Sequence, residues 1–368
     1  MSPLARHPNG VRLLSLDGGG IRGVAALVTL ERIMARIQTR IGSKEICRPA
    51  DYFELAGGTS TGGIIGVMLF RLRMTATDAI KEYKIISERV FSPKLAGYNV
   101  NNWYFGGGIG SLVSSTKTVF SGSRFQDGDL KAAIDRVVEK YGLDDNDRKL
   151  KGEAPLYHKD AGKTAETLLM RSYKHDTNYV SSKLNNIVKK HKDEITISLA
   201  ARATSAAPTY FPEVHWLDGK DKTTFWDGGL LNNNPIDQLW YARYDLVEPE
   251  EPAPPVSCVI SLGTGYESVD KLSTWSLLRL PGVATSVMDF ATNTNAKGKD
   301  FSRHMTNLNR RPEHAKTLYV RFSPELKGVE IGLADYLKMD MLKDITTKEL
   351  DKESSEVYVQ KAVDALLP

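Results

Sequence analysis

A serine between two glycines is the feature of this sequence that most clearly indicates chemistry. Ser60 lies in the pentapeptide Gly58-Thr59-Ser60-Thr61-Gly62, between an apolar run at 52–56 and a helix-like apolar stretch at 64–70. A serine on a strand-to-helix turn is typical of a nucleophile elbow, in which glycines permit a tight backbone that exposes the serine oxygen. The pattern suggests a serine acyl hydrolase; the alternative is a loop that only caps a helix.

A glycine-rich segment upstream of Ser60 could bind an anion. Asp17-Gly18-Gly19-Gly20-Ile21-Arg22-Gly23 lies where the strand-like segment Val11–Leu16 ends and a helix-like pattern begins. Backbone amides without obstructing side chains can stabilise the oxyanion that forms in ester cleavage. Because Arg22 is a cation at the start of a helix, where it opposes the macrodipole, we expect it to brace the loop or to bind substrate charge.

A dinucleotide site is the rival interpretation of the same glycines. Gly18, Gly20 and Gly23 fit the pattern Gly-x-Gly-x-x-Gly, which places a pyrophosphate at a helix N-terminus. Such a site also needs a second strand that ends in an acidic residue about 20 residues later. The polar segment at 42–49 is a poor strand, so the sequence favours an oxyanion over a nucleotide.

A serine nucleophile needs a base, and Asp227 could be that base. It precedes Gly228 and Gly229 and follows the strand-like segment 223–226, so its carboxylate could hydrogen-bond Ser60. The simpler interpretation is a turn-forming aspartate. A Ser-His-Asp triad is the other alternative, but the histidines that could complete it lie in unsuitable places: His304 in a helix-like segment, His314 in an arginine-rich loop, and His215 before the base.

Alternating strand and helix patterns must position these residues. The segments 11–16 and 256–262 read as strands, and helical spacing of apolar residues appears at 27–37, 77–91, 126–141 and 356–367. This alternation predicts an α/β fold with a mainly parallel sheet covered on both faces by helices. Two regions interrupt the alternation. The segment 92–124 is rich in glycine and aromatic residues and is either a candidate lid or an ordinary loop. The segment 142–167 is polar, and there we expect an insertion or a mobile segment.

Composition excludes several classes of protein. The chain has 368 residues, 41% hydrophobic content and a formal net charge of +4 without a long basic tract, which argues against disorder and against a dedicated nucleic-acid binder. Cys47 and Cys258 are far apart in sequence, so we expect two reduced, buried thiols. No apolar run is long enough to span a membrane and the first eight residues lack a secretory core, so we expect a cytoplasmic protein. No zinc or calcium motif is present.

Three motifs follow one another along the chain: the glycine-rich segment 17–23, the serine pentapeptide 58–62 and the aspartate with its two glycines at 227–229. In this order they resemble the motifs of the patatin-like phospholipase family, and the similarity extends to the segments 203–212 and 261–265. The resemblance implies a three-layer sandwich with a mainly parallel central sheet flanked by helices. It implies a single domain over residues 1–368, with a catalytic core at about 11–265 and a helical C-terminal part at about 266–368. The segment 142–167 departs from the family, which carries a more apolar strand before the segment that matches Arg171-Ser172-Tyr173.

The same resemblance implies a Ser-Asp dyad without histidine. Ser60 would be the nucleophile and Asp227 the base, and the amides around Gly18, Gly19 and Gly20 would form the oxyanion hole, with Arg22 at the basic position of the motif.

The substrates would be fatty-acyl esters of phospholipids or lysophospholipids, reached by transient contact with a membrane surface, without a metal, a cofactor or a nucleic-acid partner. A catalytically silent lipid-binding module of the same fold is the alternative, and a dinucleotide-binding enzyme is a weaker one. The remaining motif glycines are Gly23, Gly58, Gly62, Gly228 and Gly229.

Overall fold

The structure describes most of the chain, including the first and last residues of the catalytic core predicted at about 11–265. The computed structural model describes residues 8–92, 125–157, 170–173, 195–208, 210–218, 221–248, 251–266 and 284–368, together with three short strands at 94–95, 98–99 and 164–166. The candidate lid at 92–124 therefore lies outside the described residues, apart from Ser92 and the first two of these strands.

A parallel five-stranded sheet forms the centre of the molecule, as the alternating pattern predicts. Its order is β5-β2-β1-β8-β9, so the strand that precedes the glycine loop is central and pairs with β2 on one side and β8 on the other. The strands are β1 (Val11–Leu16), β2 (Leu55–Gly58), β3 (Lys94–Leu95), β4 (Tyr98–Asn99), β5 (Thr164–Glu166), β6 (Val214–Asp218), β7 (Asp221–Phe225), β8 (Val256–Leu262) and β9 (Leu318–Phe322).

Helices cover both faces of this sheet. Alternate residues of β1 serve the two faces: Leu14 and Leu16 belong to the larger apolar core, whereas Leu13 belongs to a second core on the opposite face. Burial on both faces explains why apolar residues predominate along the whole length of β1 and β8. The helices are α1 (Val24–Ile41), α2 (Thr61–Gly66), α3 (Ala76–Phe91), α4 (Asp127–Tyr141), α5 (Asp145–Leu150), α6 (Ile197–Thr204), α7 (Gly229–Asn232), α8 (Ile236–Ala242), α9 (Ala284–Leu308), α10 (Met339–Leu350) and α11 (Glu353–Leu366).

Local sequence signals explain where the helices begin and end. Helix α1 ends at Gly42, which adopts a left-handed conformation with φ of 64° and caps the last turn. Helix α3 begins at Thr75, whose hydroxyl accepts a hydrogen bond from the Asp78 amide. None of the helices in the described part of the chain is long and apolar enough to cross a membrane.

The polar segment at 142–167 is anchored to the core over its first part. Residues 145–153 form helix α5 and a short 3-10 turn, and the buried Asp147 makes a bidentate ion pair with the buried Arg71 at 2.7 and 2.8 Å. Arg71 also donates to the Pro155 carbonyl at 2.8 Å. Of the two expectations for this segment, an insertion or a mobile segment, the second is therefore wrong for residues 145–155. The strand β5 then pairs in parallel with β2 and completes this edge of the sheet.

The C-terminal part, expected to be helical, also contributes a strand. β9 pairs in parallel with β8 and forms the opposite edge of the central sheet. The strand-like segment before Asp227 is β7, which pairs with β6 in an antiparallel hairpin outside the central sheet. Cys47 and Cys258 are both free and buried, as the sequence predicts.

Candidate active site

Ser60 lies on the turn that connects β2 to α2, in a strained backbone conformation. Its φ of 54° and ψ of −129° are unusual for a residue with a side chain, and such a conformation costs on the order of 1–3 kcal/mol. The Ser60 amide donates to the hydroxyl of Thr204 at 3.0 Å. The glycines at 58 and 62 allow close packing, because a Cβ on Gly62 would collide with the carbonyl oxygen of Leu16. This is the geometry of a nucleophile elbow.

Asp227 lies directly beside the serine. The Ser60 hydroxyl donates to Asp227 Oδ2 at 2.7 Å, and the Gly229 amide donates to Oδ1 at 2.6 Å. The Asp227 amide donates to the Ala206 carbonyl at 2.9 Å, and the Gly228 amide donates to the Thr204 carbonyl at 3.3 Å. The carboxylate is therefore held between its own glycine turn and the segment that follows helix α6.

Burial gives this carboxylate an unusual proton affinity. It raises the pKa of Asp227 to about 7, and the hydrogen bonds from Ser60 and Gly229 offset only part of that rise. An aspartate ordinarily ionises near pH 4 and is then a weak base. A pKa near 7 is suited to general-base catalysis, because proton affinity is then matched to neutral pH.

The histidines of the alternative triad contact other groups. His304 packs against the rings of Trp240 and Phe301. His314 lies 3.4 Å from the Thr317 hydroxyl, and His215 hydrogen-bonds Thr224 at 3.1 Å. None of these three side chains lines the cleft at Ser60 within the part of the chain that the structure describes. Among the described residues, Asp227 hydrogen-bonds the Ser60 hydroxyl and none of these three histidines does.

The glycine loop crosses the end of the central sheet beside Ser60. The Gly18 amide, expected among the oxyanion donors, instead donates to the Asn233 carbonyl at 3.0 Å. The Gly19 amide makes a long bond of 3.3 Å to the Thr61 hydroxyl. The Gly20 amide has no acceptor among the described residues. Two amides, Gly19 and Gly20, thus remain able to bind an incoming oxyanion, Gly19 by giving up its long bond.

Distant segments hold this loop in place. Gly20 has φ of 54°, and a Cβ there would collide with the Leu333 carbonyl oxygen. That oxygen accepts from the Ile21 amide at 2.9 Å, the Tyr83 hydroxyl donates to the Gly20 carbonyl at 2.5 Å, and Arg22 Nε donates to the Ile331 carbonyl at 2.6 Å. Arg22 therefore braces the loop, which is one of its two expected roles. Gly23 allows the close approach of the Tyr83 hydroxyl.

A buried ion pair supports the residue that begins the loop. Asp17 Oδ2 lies 2.6 Å from Nη2 of Arg321, and the same guanidinium donates to Ser261 at 2.8 Å and to Asn295 at 3.0 Å. Burial raises the pKa of the Asp17 carboxyl, and the charge of Arg321 opposes that rise. The pair connects the ends of β1, β8 and β9.

An apolar cleft opens at the serine. Ser60, Asp227, the three glycines of the loop and Arg22 line it, so the structure brings together the candidate catalytic residues. Its other walls are largely apolar, and such a lining suits an acyl chain. The apolar lining residues are Phe91, Ala207, Pro208, Tyr210, Phe211, Leu230 and Leu333.

Sequence reasoning missed several residues that hold the site. Thr204 and Thr264 both lie in segments that resemble the family, and Thr264 donates to the Gly18 carbonyl at 3.2 Å, so these two could have been proposed from the sequence. Asn233 and Leu333 act through backbone carbonyls, which leave no side-chain signal. Arg321 carries no motif that would identify it.

Comparison with known proteins agrees with this geometry. A family model described as Patatin-like phospholipase matches residues 14–240. Calcium-independent phospholipase A2-gamma from Homo sapiens is 29% identical over 77% of this chain and 32% of its own length. Patatin-like protein 2 from Oryza sativa subsp. indica is 29% identical over 95% of this chain and 86% of its own length. Patatin-like phospholipase 1 from Plasmodium falciparum is 24% identical over 95% of this chain and 49% of its own length.

These matches differ in how much of each relative they cover. The chain spans about a third of the length of the phospholipase A2-gamma proteins. The family model, in contrast, covers more than half of the chain and includes the glycine loop, Ser60 and Asp227. This chain belongs to the patatin-like phospholipase family.

Proposed function

We propose that this chain is a lipid acyl hydrolase that cleaves fatty-acyl esters of phospholipids or lysophospholipids through a Ser60–Asp227 dyad. The observation that carries this proposal is the 2.7 Å hydrogen bond from the Ser60 hydroxyl to a buried carboxylate whose pKa is raised to about 7. The relatives include a calcium-independent phospholipase A2, whose name supports a phospholipid substrate and a reaction without calcium.

The first step is attack on the ester. Ser60 Oγ forms a bond to the acyl carbon while its proton passes to Asp227 Oδ2. The carbonyl oxygen becomes an oxyanion, which the Gly19 and Gly20 amides stabilise; removal of one such donor in comparable sites costs roughly 3 to 4 kcal/mol. Gly18 contributes by fixing the loop, because its amide is already bound to the Asn233 carbonyl.

The second half of the reaction releases the acid. When the bond from the acyl carbon to the leaving oxygen breaks, Asp227 returns its proton to that oxygen, and the alcohol departs. Water then attacks the acyl-enzyme, gives a proton to Asp227 and expels Ser60, which recovers its proton from the same carboxyl. One carboxylate thus serves as base and acid in both halves.

The cleft accounts for the choice of a lipid substrate. Its apolar walls favour an acyl chain, and Arg22 places a cation at the same cleft, where it could contact a phosphate-bearing head group. We propose that the protein reaches such substrates by transient contact with a membrane surface. A cytoplasmic location stays a prediction, which the free, buried thiols of Cys47 and Cys258 support.

Fatty-acid release tests the proposal. Wild-type and Ser60→Ala proteins would be incubated with vesicles of phospholipid, lysophospholipid or triacylglycerol, and both would be treated with an active-site-directed fluorophosphonate. We expect release and labelling by the wild-type protein only. Equal release by the two proteins would refute the role of Ser60, and absence of both release and labelling in the wild type would favour a silent lipid-binding module.

A further inference from the structure

The base segment, residues 227–234, also contacts the other two parts of the candidate active site. The carbonyl oxygen of Asn232 accepts a hydrogen bond from the Thr59 hydroxyl at 2.9 Å, and Thr59 is the buried residue directly before the nucleophile. The next carbonyl oxygen, that of Asn233, accepts the Gly18 amide at 3.0 Å. A shift of the base segment would therefore displace the base, the serine turn and the glycine loop relative to one another.

Lys297 on helix α9 fastens the base segment by a charged hydrogen bond. Its Nζ donates to the side-chain oxygen of Asn232, which is a buried residue. The same Nζ lies 3.1 Å from Oδ2 of Asp237 on helix α8. Hydrogen bonds from a charged donor are roughly twice as strong as those between neutral groups. Asn232 is thus held through its side chain by helix α9 and holds the serine turn through its carbonyl oxygen.

A second contact from the same turn of helix α9 supports this anchoring. The side-chain amide of Asn234 donates to the Thr294 carbonyl at 3.0 Å, and the side-chain oxygen of Asn234 accepts the Ile236 amide at 3.1 Å. The residue after Thr294 is Asn295, which accepts a hydrogen bond at 3.0 Å from Arg321, the guanidinium that supports the start of the glycine loop. This turn of helix α9 therefore contacts both the base segment and the support of the loop.

The contacts of Lys297 lead to the spacing of the reacting groups. The Ser60 hydroxyl has to stay within hydrogen-bond distance of Asp227, 2.7 Å in this structure, while the acyl oxygen reaches the glycine amides. A misplacement of about 1 Å can cost on the order of 10²-fold in rate. We propose that Lys297 is a positioning residue, which acts through Asn232 to fix the spacing of nucleophile, base and oxyanion donors. This inference rests on the proposed hydrolase function.

The charge of Lys297 acts on a different carboxyl from the base. Burial raises the pKa of Asp17, and the charges of Arg321 and Lys297 oppose that rise. The pKa of Asp227, in contrast, is raised by burial and lowered by its own hydrogen bonds. Loss of Lys297 should therefore change the geometry of the dyad and leave the proton affinity of the base as it is.

Three variants test this role on one lysophospholipid substrate. Lys297→Met and Asn232→Leu each replace one partner of the hydrogen bond by an apolar side chain of similar size. We expect each of them to lower kcat about tenfold and to change KM less than about twofold. The double variant should fall no further than either single variant, because both substitutions remove the same bond.

Two controls separate this bond from the other properties of Lys297. Asp237→Asn removes the charge of the second partner of Nζ, whose side chain is 46% exposed. It should change kcat less than about twofold, because exposed ion pairs contribute little. Lys299→Met removes an exposed cation two residues further along helix α9 and should leave kcat and KM unchanged.

Two further readouts distinguish positioning from a loss of fold. All rates would be measured well below the Tm of every variant. The kcat/KM profile of Lys297→Met should keep an apparent pKa of about 7, because the burial of Asp227 is unchanged. Labelling of Ser60 by the fluorophosphonate should slow by about the same factor as kcat, since attack on phosphorus needs the same alignment of nucleophile and base.

The outcomes separate this inference from the proposed function. An unchanged kcat in Lys297→Met, additive losses in the double variant, a shifted apparent pKa, or an equal fall in Asp237→Asn would overturn the role of Lys297. Hydrolysis that depends on Ser60 but not on Lys297 would refute only this inference. Hydrolysis that does not depend on Ser60 would refute the proposed function, and this inference with it.

Discussion

Replacement of Asp227 by asparagine should increase stability while it removes activity. Asparagine has the same shape, so its oxygen can still accept the Gly229 amide and its amide nitrogen can face the Ser60 hydroxyl. It cannot take a proton from Ser60, and general-base catalysis contributes typically 10²–10⁴-fold to rate. It also cannot ionise, and the raised pKa of Asp227 means that ionisation of this buried group destabilises the fold.

The size of the stability change follows from linkage. The pKa of Asp227 is about 7 in the folded protein against a model value of 3.8. Below about pH 4 the carboxyl is protonated in both the folded and the unfolded protein, so it contributes no pH-dependent cost. As the pH rises towards 7, only the unfolded state releases the proton, and stability falls. Above pH 7 the full cost of about three pKa units, or about 4 kcal/mol, is present.

Thermal unfolding at two pH values measures this difference. Between pH 5 and pH 8 the wild-type protein should lose about 2.6 kcal/mol relative to Asp227→Asn, because part of the cost is already present at pH 5. For 368 residues this corresponds to a relative shift in Tm of about 3 °C. The matched control is Asp300→Asn, which changes an exposed carboxylate on helix α9 and should show no such shift.

The pH dependence of activity provides the second arm. Since the base must be unprotonated, kcat/KM of the wild-type enzyme should rise with pH and level off above an apparent pKa of about 7. A profile that is flat from pH 5 to pH 8, or a Tm difference between wild type and Asp227→Asn that does not change with pH, would refute the assignment of a buried, raised carboxyl as the base.

Three further substitutions are expected to act through the scaffold of the site. Gly20→Ala should lower kcat by at least about 10²-fold, because its Cβ would collide with the Leu333 carbonyl and displace an oxyanion donor. The control is Gly42→Ala, which should retain the rate because a Cβ at this position would meet nothing within 4 Å. Thr204→Val removes the acceptor of the Ser60 amide and should lower kcat more than KM, whereas Thr204→Ser should restore it; equal rates in both variants would contradict this role. Arg321→Leu leaves Asp17 buried without its partner and should cost about 3–5 kcal/mol in urea unfolding, whereas Arg303→Leu on the surface should cost less than about 0.5 kcal/mol.

The sequence located the candidate residues of this site better than the residues that hold them in place. Ser60 and Asp227 were identifiable as candidates because strand-end positions beside glycines restrict what such residues can do. β1 and β8 were identifiable because strands buried on both faces are mostly apolar. β9 was not identified, since it is only five residues long and Arg321 interrupts its apolar residues. The anchoring of helix α5 was also missed, because the ion pair between Asp147 and Arg71 joins residues 76 positions apart and leaves no periodic pattern.

The glycine loop depends on contacts from the C-terminal part of the chain. Three of the contacts that fix the loop come from Thr264, Arg321 and Ile331, which lie 246, 304 and 309 residues away from their partners in the sequence. All three follow residue 240, where the family match ends. Contacts of such separation form late, since the entropy of closing long loops must be overcome first. The turn that carries Ser60 likewise combines local contacts of β2 and α2 with the hydrogen bond from the Ser60 amide to Thr204, 144 residues away. The C-terminal strand β9 supplies Arg321 to the residue that begins the glycine loop and forms the edge of the sheet.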